Sequence, residues 1–303
     1  MPINSGSFAK ALWPGVNAWY GDSYSEYPVE YTALFDTSKS RKAFEEDMGI
    51  SGFGLAAVKS EGNAVPYDTA QQGFLSRYQH VTYGLGFVIT REMVDDDLYD
   101  VIGKKRASAL AFSMRQTKEI VAANVYNRAF TSGYTGGDGS ILCVSSHANV
   151  AGGTWSNVPS VAADLSEGAL EQATIDMAAW TNDRGLKIAV KPQSLIIPPA
   201  SVFEAERILK TTGRVSTANN DINALREMGM FPGGIKVNHY LDLGSGVWFI
   251  RTDVKDGMKH FERRPDDFGM DNDFDTDNAK YKATGRYSFG WTDPRAVYGS
   301  AGA

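Results

Sequence analysis

Cysteine is almost absent. Cys143 stands alone in 303 residues, so no internal disulfide forms and no cysteine-built zinc cluster is available. A lone free cysteine reads as a small buried hydrophobe. No apolar run reaches the length that spans a bilayer, and the opening MPINSGSFAKALWPGVNAWY lacks a basic head, apolar stretch and cleavage site in that order. The expectation is a chain made in the cytoplasm with no membrane partner. Basic excess is missing as well: 30 Lys and Arg face 36 Asp and Glu, a net charge of −6. That leaves no overall basic footprint for gripping nucleic acid. The densest basic run, Lys104-Lys105-Arg106, reads as a solvated helix face.

Catalytic sets are lacking too. The four histidines, His80, His147, His239 and His260, include no His-Glu-x-x-His pair for zinc, and no phosphate-binding G-x-x-x-x-G-K-[ST] loop occurs. Gly21-Asp22-Ser23 matches the nucleophile block of one serine hydrolase class, but no Asp has a His three residues on to supply the base. Asp22 and Ser23 then read as turn formers. The strongest local charge signal is DDFGMDNDFDTDN at 266–278. Asp271, Asp273, Asp275 and Asp277 alternate there like the opening of a calcium loop. Thr276 stands where such a loop wants glycine and Lys282 where it wants glutamate, so the segment reads as a solvated turn between strands. An inter-subunit metal or salt-bridge site is the alternative. No catalytic, cofactor or metal residues are assigned.

What is present is ordinary globular material, 43% hydrophobic and 22% charged, arranged unusually. Aromatics crowd the first 35 residues without a sustained period, broken by Pro2, Pro14, Gly15 and Pro28. They predict an irregular arm lying on some surface, whose removal spares the core. Glycine-rich residues 49–90 carry two strand-like runs, 53–59 and 77–89, with 60–72 an exposed tip between them. Such a hairpin is marginal alone and must lean on something. At Thr90 the period changes from two to that of a helix and continues to about Phe130. A continuous helix of that length would be roughly 60 Å long, against a diameter on the order of 50 Å for a compact chain of this size. Further on, 165–180 predicts a helix after an Asp164 or Ser166 cap. A buried strand follows at 195–197, then a Pro198-Pro199 turn and a helix over 202–210. Residues 235–254, 257–264 and the stretch from Ala279 read as strands. The class is α+β with segregated elements; a doubly wound nucleotide fold does not fit.

The order of these parts resembles a known family. An irregular arm, a glycine-rich hairpin, YQHVTYGLGFVITREMVDDDLYD running into a long helix, then KPQSLIIPPA and YSFGWTDPRAVYGS are together similar to the major capsid proteins of tailed bacteriophages, of the Mu-like head subunit type. The resemblance implies the Hong Kong 97 capsid fold. It places an N-terminal arm at 1–47, an extended E-loop hairpin at 48–90 and the spine helix of the P-domain at 91–130. Residues 131–255 would be mainly A-domain with P-domain segments, 256–290 P-domain strands and loop, and 291–303 the return to the A-domain. It further implies self-assembly through pentamers and hexamers into an icosahedral head enclosing double-stranded DNA without sequence-specific binding. The location would be the virion, after assembly in the host cytoplasm. A portal protein is an implied partner, and a cement or decoration protein a further candidate. Because the arm begins almost at Met1, a separate scaffolding protein is expected. Residues expected at assembly contacts are Lys59, Arg77, Arg263, Arg264, Asp271, Asp273, Asp275 and Asp277. Arg263 and Arg264, or a neighbour's Arg77, would neutralise the acidic loop, and Lys59 forms no covalent cross-link. A serine hydrolase and a metal-binding module remain the rival classes.

Overall fold

The structure is a computed structural model and describes residues 8–95, 99–213, 221–244, 246–273 and 278–303. Two four-stranded sheets are joined by a long helix. The first sheet has the order β1-β10-β11-β4, with β1 at Asp36–Lys39, β4 at Val81–Ile89, β10 at Met258–Asn272 and β11 at Ala279–Trp291. Only β1 runs parallel to its neighbour; β10, β11 and β4 alternate in direction. The second sheet has the order β12-β9-β7-β8, with β7 at Pro192–Ile197, β8 at Ile235–Val237, β9 at Trp248–Thr252 and β12 at Val297–Ser300.

Period-two side-chain alternation gives this second sheet two buried faces. Ile196, Phe249 and Val297 enter one core with Tyr126 and Phe35. Their neighbours Leu195, Ile197, Trp248, Ile250 and Tyr298 enter another with helices α4 (Glu167–Ala179) and α5 (Val202–Lys210). Cys143 lies buried beside Gly299, where a Cβ would come within 2.9 Å of its Sγ. Burial raises the thiol well above its ordinary pKa, so it is inert packing material.

The helix expected over 91–130 is seen as α2 (Arg91–Asp95) and α3 (Tyr99–Asn127), and residues 96–98 lie outside the described residues. The 29 residues of α3 extend about 43 Å. Its first half, through Ala107, Leu110, Ala111 and Met114, packs with Ile89, Tyr281 and Ala283 of the first sheet. Its second half, through Ala122 and Tyr126, packs beneath the second sheet. One helix therefore belongs to two cores.

Three expectations are corrected. Residues 8–35 are not an irregular arm: Phe8–Glu26 form helix α1; 1–7 lie outside the described residues. Val16, Tyr20 and Tyr24 recur every four residues, and Val16 and Tyr20 are buried against α3 and Phe268. Burial of this stripe outweighs the proline and glycine that obscured it. Tyr31, Leu34 and Phe35 are buried in the main core, so removing 1–35 would not spare it. Next, 53–59 is not a strand; β2 (Phe44–Ile50) pairs with β3 (Gln72–Gln79), and 51–71 has no regular structure. The run 77–89 breaks at His80, between β3 and β4. Finally, most of the acidic segment is strand rather than turn, because β10 continues to Asn272.

Of the later elements, α4 and α5 stand where expected, whereas the strand expected over 235–254 is two, β8 and β9, with turns between them, and the one expected over 257–264 runs on as β10 to Asn272. Ser166 caps α4, accepting the Ala169 amide at 3.2 Å, and α5 begins after a 3-10 turn over Pro199–Ser201.

Candidate assembly surface

The loop beyond the β2–β3 hairpin is left largely uncovered by the rest of the chain. Phe53, Leu55, Val58 and Tyr67 in it are 62%, 85%, 98% and 96% exposed. Apolar exposure at this density marks an interaction surface. The register of the hairpin needs glycine at 73, where a Cβ would stand 2.4 Å from the Gly49 carbonyl oxygen.

The base of the hairpin is fixed by two buried polar chains. His80 bridges the points where the chain enters and leaves it: Nε2 is 3.0 Å from Ser40 Oγ and Nδ1 3.0 Å from Ser288 Oγ. Ser40 Oγ donates to Glu45 Oε1 at 2.8 Å, so His80 donates through Nε2 and accepts through Nδ1. In the second chain Thr292 Oγ1 donates to Asp47 Oδ2 at 2.8 Å, the Tyr78 hydroxyl donates to Thr292 Oγ1 at 2.6 Å, and Lys259 pairs with Asp47. The hairpin thus has a rigid root and an uncovered end.

The residues expected at assembly contacts fall in separate places. Lys59 is exposed on the loop. The Arg77 guanidinium lies over the Phe44 ring, 3.9 Å from its centroid, and 3.9 Å from Glu46 Oε1. Arg263 donates to the Lys42 carbonyl at 3.1 Å and Arg264 to Thr284 Oγ1 at 2.9 Å. Within the chain these arginines serve the hairpin base and the sheet. The acidic segment is met instead by Lys280, which stands opposite Asp271 in register and binds Asp273 at 2.6 Å. Asp266 points inward and accepts the Tyr24 hydroxyl at 2.5 Å. Asp275 and Asp277 lie outside the described residues. The pairing of Lys280 was missed in the sequence, although the strand alternation of AKYKA beside an acidic strand was the signal for it.

Buried polar groups on α3 pin the beginning of the chain. Lys118 Nζ binds Glu262 Oε1 at 2.8 Å and lies over the rings of Tyr31 and Tyr287. The Glu119 carboxylate accepts the amides of Glu30 and Tyr31 at 3.1 and 2.9 Å. Beside them His260 is fully buried, stacked on Phe289 with centroids 4.2 Å apart, with Nδ1 3.2 Å from Thr37 Oγ1. Burial first, then the Lys118 charge, pushes its pKa from 6.5 down to about 4, against the opposing pull of Glu262. The unfolded chain takes up this proton near 6.5 and the folded chain only near 4, so stability falls as pH drops through that window. His80, lowered by burial and by Arg286, acts in the same sense. Replacing His260 with Phe, which keeps the stack, is expected to remove up to about 3 kcal/mol of this acid loss between pH 6.5 and 4. Urea unfolding at the two pH values measures it; equal acid losses in both proteins would clear His260 of the effect.

The residues on which the hydrolase alternative rested are engaged otherwise. Asp22 and Ser23 are in α1 rather than a turn, and the Ser23 hydroxyl donates to Ser108 Oγ at 2.8 Å. The histidines are engaged elsewhere: His147 with Asp138 at 2.6 Å, His239 with Glu30 at 2.6 Å, and the other two as above. Among the described residues no three His, Cys, Asp or Glu side chains are grouped to hold a metal ion. No helix among them is long and apolar enough to cross a membrane.

A body in which one helix joins the cores of two sheets, with a rooted hairpin whose apolar end is uncovered, fits a subunit that associates with copies of itself. The chain belongs to the phage capsid protein family, whose sequence model matches residues 75–300. Among solved structures it is similar to a virus-like particle from Pyrococcus furiosus, at 10% identity and TM-score 0.52 over 94% of this chain and 97% of that one. It is also similar to the capsid of an empty GTA particle, at 13% and 0.54 over 88% and 87%. A third is the procapsid of bacteriophage JBD30, at 14% and 0.51 over 97% and 75%. At such identities the likeness is one of fold, and the fold is the Hong Kong 97 capsid type. No curated protein sequence matches the chain. Family and fold are structural, and the chain is a virion component.

Proposed function

We propose that this chain is the major head subunit, which closes through pentamers and hexamers into an icosahedral shell around double-stranded DNA. The observation that carries the reading is the rooted hairpin with its exposed apolar end, set in the capsid family fold. In this reading the β2–β3 hairpin with its loop 51–71 reaches neighbouring copies, while Tyr31, Leu34 and Phe35 before it stay in the subunit's own core. The spine is 91–130, and 131–255 with 291–303 forms the axial domain. Residues 256–290 form the peripheral strands and acidic loop. Assembly takes place in the host cytoplasm with a scaffolding protein and a portal, and a cement protein is a further candidate partner. The acidic balance of the chain, net −6, suits an inner surface that contains DNA without gripping it. Electron microscopy of the expressed chain, alone and with its scaffold, tests the reading. Closed shells are expected, and a chain that stays monomeric under both conditions overturns it.

The acidic loop also belongs to this proposal. Six aspartates occupy 266–277, and copies converging near three-fold vertices would repel through those that face outward. Arginines of neighbouring copies, Arg77, Arg263 and Arg264, supply the counter-charge through the fixed fork that suits carboxylates. Replacing Asp271, Asp273 and Asp275 with Asn is expected to lower the melting temperature of shells more than that of free subunits, with chelator leaving wild-type shells intact. Shells opened by chelator alone would establish a metal instead.

A further inference from the structure

The exposed loop 51–71 is tied to its own subunit at one place. Ser51 is buried and exchanges hydrogen bonds with Gln71: its amide reaches the Gln71 carbonyl at 3.0 Å, and the Gln71 amide reaches Ser51 Oγ at 2.8 Å. Just beyond, Asp68 on the returning leg accepts the Gly54 amide of the outgoing leg at 2.8 Å and the Thr69 amide at 2.8 Å. Into this neck comes one side chain from far along the sequence. Arg184 donates through Nε to the Gly52 carbonyl at 3.3 Å, and through one terminal nitrogen to Asp68 Oδ1 at 3.2 Å and to the Thr69 carbonyl. A single guanidinium therefore holds both legs.

The turn that presents Arg184 is itself set. Asn182 Oδ1 accepts the amides of Arg184 and Leu186, each at 2.9 Å, and the Asn182 amide donates to the Leu186 carbonyl at 2.8 Å. Gly185 takes φ +77°, a conformation that other residues adopt only with strain. Past the neck, the only backbone hydrogen bond recorded within 55–67 runs from the Asn63 amide to the Ser60 carbonyl. The direction in which this apolar end projects is thus set at the neck, since the end has little structure of its own.

We infer that Arg184 is a positioning residue for assembly: it clasps both legs of the loop to the turn at 181–187 and fixes the direction in which 55–67 meets a second copy of the chain. This rests on the reading of the loop as an inter-subunit contact. Lysine is not an equivalent, because a single ammonium lacks the planar fork that spans acceptors on two legs. The gain lies in preorganisation: without the clasp, the order of the loop must be supplied when the subunits meet.

The test uses the full chain under conditions in which the wild type closes shells. Arg184→Ala and Arg184→Lys are expected to leave the unfolding midpoint of the free subunit unchanged and to speed hydrogen exchange at the Gly54 and Thr69 amides. The subunit concentration at which shells appear should rise about tenfold, with Lys closer to Ala than to wild type. Asp68→Asn reads the same clasp from the exposed leg without touching the turn, and the same rise is expected. A chain with 55–67 replaced by two glycines separates the two ideas. If that deletion blocks shells while Arg184→Ala and Asp68→Asn assemble at the wild-type concentration, the clasp is wrong and the contact reading stands. If the deletion assembles normally, the contact reading fails and the positioning role goes with it.

Discussion

A Phe35→Ala subunit should lose about 3–5 kcal/mol of folding stability, the cost of emptying a buried aromatic site. Phe35 is buried and stands edge-on to Tyr126 and Phe289, with centroids 5.8 and 5.1 Å away. Those two rings come from α3 and β11, so the lost side chain leaves a void where the long helix, the first sheet and the start of the chain meet. Such a void closes poorly because each wall is anchored elsewhere. Urea unfolding of the free subunit measures the effect, and a change below about 1 kcal/mol would return this segment to the status of a peripheral arm.

Lys118→Met is the second large effect, expected at about 3 kcal/mol. Removing one partner of a buried pair leaves the other charge uncompensated. The figure sits at the low end of the usual range because the Glu262 side chain keeps 20% of its exposure. Burial alone would lower the Lys118 pKa, but the Glu262 hydrogen bond raises it overall. Burial likewise opposes ionisation of Glu262, and Lys118 brings its pKa down overall. The lysine contribution is complete below its ordinary 10.5 and lost as pH rises through the raised value. The glutamate contribution is complete above 4.5 and lost as pH falls through the lowered value. The pair therefore stabilises across neutral pH. Adding Glu262→Gln to Lys118→Met should recover much of the loss; a double mutant as unstable as the single would mean that Lys118 acts through its packing on Tyr31 and Tyr287.

Legibility of the sequence followed how local the determinants were. The helix at 202–210 and the strand around 195–197 were readable because proline placement and apolar runs lie within a few residues of the element. α1 was unreadable because its stripe is decided by α3, far along the chain, while the local proline argued the other way. The strand expected at 53–59 has the alternation of a strand and no partner within its own chain, so pattern without pairing left it as loop. The hairpin root was invisible for a related reason: His80 and Ser288 are 208 residues apart, and Arg184 and Gly52 are 132 apart. Neither pair leaves a motif. The class of protein was legible from the order of parts, whereas the residues that hold the assembly surface in place were not.

Because α3 is built into both cores, neither of its halves can fray without disturbing a packed interior. Its central amides should therefore exchange with solvent only when the whole subunit opens. In mechanical terms the helix is a strut carried on two solid footings. Pressure on one sheet is then passed to the other along the axis of this helix.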